Sequence, residues 1–116
     1  AIAAVFVQSG YAYPVFSPLI GVIGSFITGS TTVSNVIFGP VQYNAALSLA
    51  LQPEIILGLQ LAGASLGNAV CLFNIIAAAA VAGINDFNAI LKINLLPVIL
   101  ASLVISAVGF VLIYLV

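Results

Sequence analysis

An uncharged polar stretch at residues 29–35, Gly-Ser-Thr-Thr-Val-Ser-Asn, lies between two apolar segments and restricts how this chain can fold. The segment before it, Val15 to Thr28, has 14 residues and would measure about 21 Å as an α-helix. The segment after it, Val36 to Leu51, is about as short and contains further breaks. Buried polar groups cost free energy unless they meet partners, so we expect this stretch either to face water or to bind something.

The composition decides what surrounds these segments. Of the 116 residues, 65% are hydrophobic and 3% are charged, whereas soluble domains carry about 25% charged residues. So little charge cannot keep this much apolar surface in water, and we predict an all-α membrane protein with the lipid bilayer as its solvent. One lysine and no arginine exclude a phosphate-binding basic patch, so nucleic acid is not expected as a partner. With no histidine and one cysteine, Cys71, the usual zinc, haem and iron–sulfur ligand sets are absent, and we expect no cofactor.

Two short arms around a polar tip predict a re-entrant hairpin over residues 15–51, which enters the membrane and leaves it on the same side. A helix that crosses the hydrocarbon core usually needs about 20 residues. Irregular backbone is tolerated at membrane depth only when it is buried in protein or lines a wet cavity. The alternative is two poor transmembrane helices joined by an external loop. Such a loop can easily carry a charge, whereas this one carries none, which favours the hairpin.

Residues 1–13 are predicted to be the end of a membrane helix. The first of them are apolar, and Gly10 and Pro14 are typical of the point where a helix stops. Tyr11 and Tyr13 fit the bilayer interface, where aromatic rings with a polar tip collect. The chain contains no methionine and no charged leader segment, so we expect it to be a piece of a longer protein.

A second polar interruption lies at Gly63 to Asn68, inside an apolar segment that runs from Ile55 to Ile84. That segment has 30 residues and would be about 45 Å long as one helix, well beyond the bilayer core. We expect an interrupted transmembrane helix over residues 54–84, broken at the interruption. The alternative is a tilted continuous helix in which Gly63-x-x-x-Gly67 forms a close-packing face, and both features can hold together.

The charged residues mark helix starts rather than a reaction centre. Pro53 and Glu54 suit the first turn of a helix. Asp86 suits the cap of the last one, a transmembrane helix over 87–116 with a scaffolding role. Lys92 is close enough to the interface to snorkel. With no histidine and no second carboxylate near either acid, the parts for acid–base catalysis are missing, so we do not expect an enzyme.

Both interruptions bring helix ends together. The tip places unpaired carbonyls at the end of the first arm beside unpaired N–H groups at the start of the second, and the break does the same. We expect Thr32 or Ser34 to cap one N-terminus and Asn68 the other. Carbonyl ends favour a cation, and N–H ends favour an anion such as a carboxylate. Discontinuous helices that meet near the midplane are the expected form of a secondary-transporter substrate site.

Two long strings resemble one known family. Residues 24–39, Gly-Ser-Phe-Ile-Thr-Gly-Ser-Thr-Thr-Val-Ser-Asn-Val-Ile-Phe-Gly, resemble the hairpin motif of the lactate permease family. Residues 61–75, Leu-Ala-Gly-Ala-Ser-Leu-Gly-Asn-Ala-Val-Cys-Leu-Phe-Asn-Ile, resemble the interrupted helix that follows it there. The likeness covers nearly the whole chain and corresponds to the C-terminal part of a longer transporter.

The resemblance implies a multi-pass importer in the cytoplasmic membrane that carries L-lactate, and often D-lactate or glycolate, usually with protons. It also implies an ion-transporter-type fold of two inverted repeats, each with a hairpin and a broken helix. Some members carry an acidic residue where this chain has Thr31 or Thr32, and some carry a lysine where it has Asn68. These departures leave the coupling cation open between a proton and sodium.

Carried onto this sequence, the resemblance implies a substrate and ion site made of tip and break residues. They are Thr28, Gly29, Ser30, Thr31, Thr32, Ser34, Asn35, Gly63, Ser65, Gly67, Asn68 and Asn74. The implied partners are lipid, a lactate-like monocarboxylate, a coupling cation and the N-terminal part of the transporter. Two alternatives stay open. One is a related organic-anion or cation symporter of the same fold, and the other is a non-transporting membrane scaffold segment whose two interruptions pack together and enclose no cavity.

Overall fold

The computed structural model describes residues 10–116, and every regular element in that range is helical. A 3-10 turn, Gly10–Ala12, leads into α1 (Tyr13–Thr28), which is followed by α2 (Thr31–Ser48), α3 (Pro53–Gly67), α4 (Leu72–Ala82) and α5 (Phe87–Tyr114). Three segments are long and apolar enough to span a membrane, namely Gly10–Thr28, Pro53–Ala82 and Phe87–Tyr114. The predicted all-α membrane fold is confirmed at this level.

The first arm of the hairpin is longer than the sequence predicts. α1 begins at Tyr13 rather than Val15, and Pro14 lies in its first turn, where the missing N–H of a proline costs nothing. Together with the 3-10 turn, the segment has 19 residues and is long enough to cross a membrane. The argument that the first arm is too short to cross is therefore wrong. Residues 1–9, most of the predicted helix end at 1–13, lie outside the described residues.

α1 and α2 form an antiparallel hairpin with two residues between them. Near the turn, Ser34 Oγ donates to Gly21 O at 3.3 Å. Farther from the turn, Gln42 Nε2 donates to Ser17 O at 3.0 Å. Later residues of α2 thus pair with earlier residues of α1, as in helices that run in opposite directions, and polar side chains hold the two arms together.

Two glycines allow α3 to lie directly against α1. A Cβ built at Gly63 would collide with the backbone of Pro18. A Cβ built at Gly67 would collide with Val22 O and Ser25 Oγ. The close-packing face proposed for Gly63-x-x-x-Gly67 is therefore confirmed, and it fixes how the hairpin sits on α3.

The interruption lies C-terminal to its predicted position. α3 is helical through Gly67, and the non-helical segment is 68–71 rather than 63–68. Ser65 remains inside the helix, and its hydroxyl donates to Leu61 O at 3.0 Å. The predicted break through Ser65 is wrong. Gly63 and Gly67 pack α3 closely on α1, and they do so without leaving the helical conformation. The apolar segment still consists of two helices, α3 and α4.

α5 packs on the rest of the bundle through small residues. Ser106 Oγ donates to Val15 O at 2.9 Å. A Cβ built at Gly109 would collide with the side chain of Leu59. Many leucine, isoleucine and valine side chains of this helix are exposed, as expected for a face that meets lipid or further apolar helices. α5 therefore supports α1 and α3 from the side, in keeping with the scaffolding role predicted for it.

Candidate functional site

Gly29 turns the chain at the hairpin tip. α1 ends at Thr28, whose Oγ1 donates to Gly24 O at 2.8 Å, inside its own helix. Gly29 has φ +72°, a left-handed conformation that favours glycine. A Cβ at this position would lie 3.4 Å from Cys71 Sγ. Gly29 therefore reverses the chain at a point that touches the loop between α3 and α4.

Ser30 starts the second arm. It is the N-cap of α2, and its Oγ accepts from Val33 N at 3.2 Å. The predicted caps, Thr32 and Ser34, are wrong because the chain reverses within two residues and both side chains already lie on helical backbone. Thr32 is exposed and Ser34 is buried between helices.

Two amide side chains hold the loop between α3 and α4. Asn94 of α5 donates its Nδ2 to Ala69 O at 3.0 Å. Asn74 of α4 bridges the tip and the loop, with its Nδ2 3.4 Å from Gly29 O and 3.3 Å from Asn68 O. Carbonyls left unpaired after the ends of α1 and α3 thus find donors on α4 and α5.

α4 begins after Cys71, which is its N-cap residue and is fully buried. The prediction that Cys71 is a packed apolar residue is confirmed. The prediction that Asn68 caps this helix is wrong, because Asn68 lies three residues before the N-cap and its side chain bonds to the tip instead.

One side chain on each interruption joins the tip to the break. Thr31 Oγ1 donates to Ala64 O at 3.3 Å and accepts from Asn68 Nδ2 at 2.6 Å. The other atom of the amide, Asn68 Oδ1, is buried and has no hydrogen-bond partner among the described residues. A buried acceptor without a donor costs about 1–3 kcal/mol. A donor from outside these residues would therefore bind here favourably.

Four helix ends meet around this contact. α1 and α3 end here, and α2 and α4 begin here. The first N–H groups of α2 and α4 have no acceptor within their own helix, and each helix start carries partial positive charge. The side chains that join the tip to the break are hydroxyls and amides. The arrangement offers a neutral, polar surface with donors for an anion.

A buried polar chain that the sequence reasoning missed leads to the tip. Tyr13 OH donates to Gln42 Oε1 at 2.9 Å, and Gln42 Nε2 donates to Gln60 Oε1 at 2.6 Å. Gln60 Nε2 lies 3.2 Å from Ser34 Oγ and 3.3 Å from Asn35 Oδ1. The signal was present, because a glutamine inside an apolar helix requires a partner. Tyr13, expected to collect at the bilayer interface, is buried among the helices.

Not every predicted site residue reaches the contact between tip and break. Ser65 is exposed and its hydroxyl is engaged within α3. Gly63 and Gly67 are buried against α1, where they act as packing positions. Asn35 meets Gln60 rather than the break.

The charged residues lie at helix starts. Glu54 is in the first turn of α3 and is exposed. Asp86 caps α5, as predicted, and its Oδ1 accepts from Ala89 N at 3.1 Å. Lys92 is exposed near the start of the same helix. Within residues 10–116 there is no group of three or more histidine, cysteine, aspartate or glutamate side chains that could hold a metal ion.

Comparison with known proteins gives a consistent set of relatives. A putative L-lactate permease of Haemophilus influenzae is 40% identical over 102 residues, which cover 87% of this chain and 19% of that protein. The glycolate permease GlcA of Escherichia coli is 32% identical over 82 residues, covering 71% of this chain and 15% of that protein. An L-lactate permease of Bacillus subtilis is 34% identical over 76 residues, covering 66% of this chain and 14% of that protein. No solved structure matches the chain.

The chain spans less than a fifth of the length of these curated relatives. The model of one protein family, described as L-lactate permease, matches all of residues 1–116. The helical hairpin, the broken helix and the apolar segments all agree with a membrane transporter. The chain therefore belongs to the L-lactate permease family.

Proposed function

We propose that this chain is the C-terminal part of a permease that moves L-lactate, or a related small monocarboxylate such as glycolate, across the cytoplasmic membrane. The names of the relatives support this substrate class, since they include both L-lactate and glycolate permeases. The rest of the transporter supplies the other inverted repeat, and the substrate moves together with a proton. The chain contributes half of the binding surface, at the contact between hairpin tip and helix break.

The observation that carries this proposal is the bond between Thr31 and Asn68. It brings together two interruptions that are 37 residues apart in sequence. An apolar chain tolerates such unpaired helix ends inside a membrane only where they meet protein, water or a ligand. A small carboxylate suits the N–H ends of α2 and α4, and the neutral side chains around them avoid the cost of a buried unpaired charge.

The position of the break supports a re-entrant hairpin over residues 15–51 despite the length of α1. If Pro53–Ala82 spans the bilayer, α3 contributes 15 residues on one side of the break and α4 contributes 11 on the other. Those lengths correspond to about 22 Å and about 16 Å, which supports a break near mid-membrane. The tip bonds directly to the break, so the tip lies at the same depth, and the second arm returns from there.

Direct packing of the two interruptions favours a second candidate, a non-transporting scaffold segment. The two candidates differ in what the amides do. In a permease, Asn35 and Asn68 contact the substrate or orient groups that do. In a scaffold, they only hold helices together, so their replacement changes the stability of the protein and leaves lactate flux unchanged.

Uptake of labelled L-lactate by membrane vesicles that contain the full-length permease separates the two candidates. Asn35→Ala and Asn68→Ala should each lower the affinity for L-lactate about tenfold to a hundredfold, because removing one partner of a buried hydrogen bond costs about 1–3 kcal/mol. Asn44→Ala, which removes an exposed amide on α2, is the matched control and should leave uptake unchanged. Membrane levels of each variant are measured in parallel. Wild-type uptake by both Asn35→Ala and Asn68→Ala would place the substrate site elsewhere.

A further inference from the structure

We propose that Asn68 Oδ1 accepts a hydrogen bond from the hydroxyl of a 2-hydroxy monocarboxylate and thereby makes the site select such acids over plain monocarboxylates. This inference rests on the proposed transport function. It assigns to one atom the part of substrate recognition that distinguishes lactate from propionate and glycolate from acetate.

The amide of Asn68 is held in one orientation. Thr31 Oγ1 gives its proton to Ala64 O, which leaves the hydroxyl oxygen free to accept from Asn68 Nδ2. A flipped amide would either set two acceptors against each other or draw the Thr31 proton away from Ala64 O, so it would make one hydrogen bond fewer. Oδ1 therefore faces away from Thr31 as an acceptor, and it is the only buried side-chain polar atom among the described residues that has no partner.

An unpaired acceptor selects its ligand by chemistry. A carboxylate offers only acceptors and would be repelled by Oδ1, so the anionic group of a substrate belongs elsewhere. The first N–H groups of α2 and α4 provide that place, apart from Val33 N, which Ser30 Oγ already caps. These starts lie close together, since Asn74 of α4 bonds to Gly29 O, two residues before α2. The unpaired acceptor, Asn68 Oδ1, and a position for an anion are thus adjacent.

A 2-hydroxy acid presents both groups side by side. Its hydroxyl is on the carbon next to the carboxylate, so a molecule with a carboxylate on the helix starts has a donor within reach of Oδ1. L-lactate and glycolate, which name the relatives, share this pair of groups and differ by one methyl. A neutral acceptor suits both, whereas the missing hydroxyl of propionate or acetate leaves Oδ1 unpaired. A site built to bond a hydroxyl rejects analogues that lack it more strongly than it rejects the loss of a methylene.

Oδ1 is shielded in the chain alone, so α4 must move away from the tip and from the loop that follows α3 before a substrate can reach it. The bonds that hold α4 against the tip and the loop belong to Asn74, at 3.4 Å to Gly29 O and 3.3 Å to Asn68 O. Asn74 is also exposed. These bonds are the ones that can open without disturbing the Thr31–Asn68 pair.

The test measures the binding of two ligands that differ only in the hydroxyl. Purified full-length permease is titrated with L-lactate and with propionate, and the rise in melting temperature gives a dissociation constant for each. This readout does not require transport. The selectivity is the ratio of the propionate constant to the L-lactate constant, and the same titration with glycolate and acetate gives a second ratio.

Wild-type protein should prefer L-lactate by roughly 10- to 100-fold, and Asn68→Ala should bring the ratio close to one by weakening L-lactate while leaving propionate nearly unchanged. Thr31→Val should lower the ratio too, because the amide loses its anchor, and Thr31→Ser should restore it. Asn44→Ala should keep the wild-type ratio.

Equal weakening of both ligands by Asn68→Ala, or an unchanged ratio, would overturn the assignment while leaving lactate transport intact as a function. Failure of the wild-type protein to bind or take up L-lactate would instead overturn the proposed function itself. Should Asn68→Ala fail to reach the membrane, the Thr31→Val and Thr31→Ser pair decides the question by the same ratio.

Discussion

Asn68 Nδ2 and Thr31 Oγ1 lie 2.6 Å apart, and this bond joins the helix break to the hairpin tip. Thr31 in turn bonds to Ala64 on the last turn of α3. The hairpin and the broken helix are therefore attached both along their lengths and at their polar ends. A substrate that binds between them interacts with α2, α3 and α4 at once.

The glycines on α3 should be intolerant of even one methyl group. Gly63→Ala and Gly67→Ala place a Cβ against the backbone of α1, and such overpacking costs about 1–3 kcal/mol. Each variant should melt at a lower temperature than the wild-type full-length permease in detergent. Gly58→Ala is the control, because no atom lies within 4 Å of the added Cβ and alanine favours helix. A Gly63→Ala protein as stable as Gly58→Ala would contradict the close contact.

Gln42 and Gln60, which bond to each other, should contribute to stability as a coupled pair. Gln60→Leu removes one hydrogen bond from the Gln42 amide, which keeps Ser17 O, and one from Ser34, which keeps Gly21 O. Each lost bond should cost about 0.5–1.5 kcal/mol. The double variant Gln42→Leu with Gln60→Leu removes both members of the Gln42–Gln60 hydrogen bond. Its loss of stability should therefore be smaller than the sum of the two single losses. Thermal melting of the three variants gives the coupling. Strictly additive losses would show that the two amides do not interact.

The carboxylates in this chain should be dispensable for proton coupling. Glu54 is exposed in a first helical turn, and Asp86 is engaged as a cap. Glu54→Gln and Asp86→Asn keep size and hydrogen bonding, and asparagine is as good a cap as aspartate. Lactate-driven alkalinisation outside vesicles should therefore persist in both. Loss of proton flux with retained lactate flux in either variant would identify that carboxylate as the proton carrier.

The tip should be reachable from one side of the membrane only. Thr32 is exposed at the start of α2, and Cys71 is the N-cap of α4. Thr32→Cys in a Cys71→Ser background therefore gives one accessible thiol in this part of the chain. A bulky membrane-impermeant thiol reagent should label it in vesicles of one orientation and spare it in the other. Equal labelling from the side opposite the ends of the hairpin would show that the arms cross the membrane as two separate spans.

The polar interruptions were predictable because uncharged polar side chains in so apolar a chain require partners. Their contact was not, since the Thr31–Asn68 bond depends on the register in which α3 packs on the hairpin. The break was misplaced because Gly63 and Gly67 fit a break and a packing face equally well, and only the approach of Pro18 decides between them. The role of Gln60 was missed because its partners lie at least 18 residues away in sequence, so they depend on how the helices pack.

The central claim is that the hairpin tip and the helix break hold a lactate-like substrate, and protection of a single thiol at the tip tests it most directly. The alkylation rate of Thr32→Cys in the Cys71→Ser full-length permease is measured with and without L-lactate, beside Leu47→Cys at the far, exposed end of α2. L-lactate should slow the reaction at residue 32 in proportion to site occupancy and leave residue 47 unaffected. An alkylation rate at residue 32 that saturating L-lactate does not change, in a protein that still takes up lactate, would contradict the account.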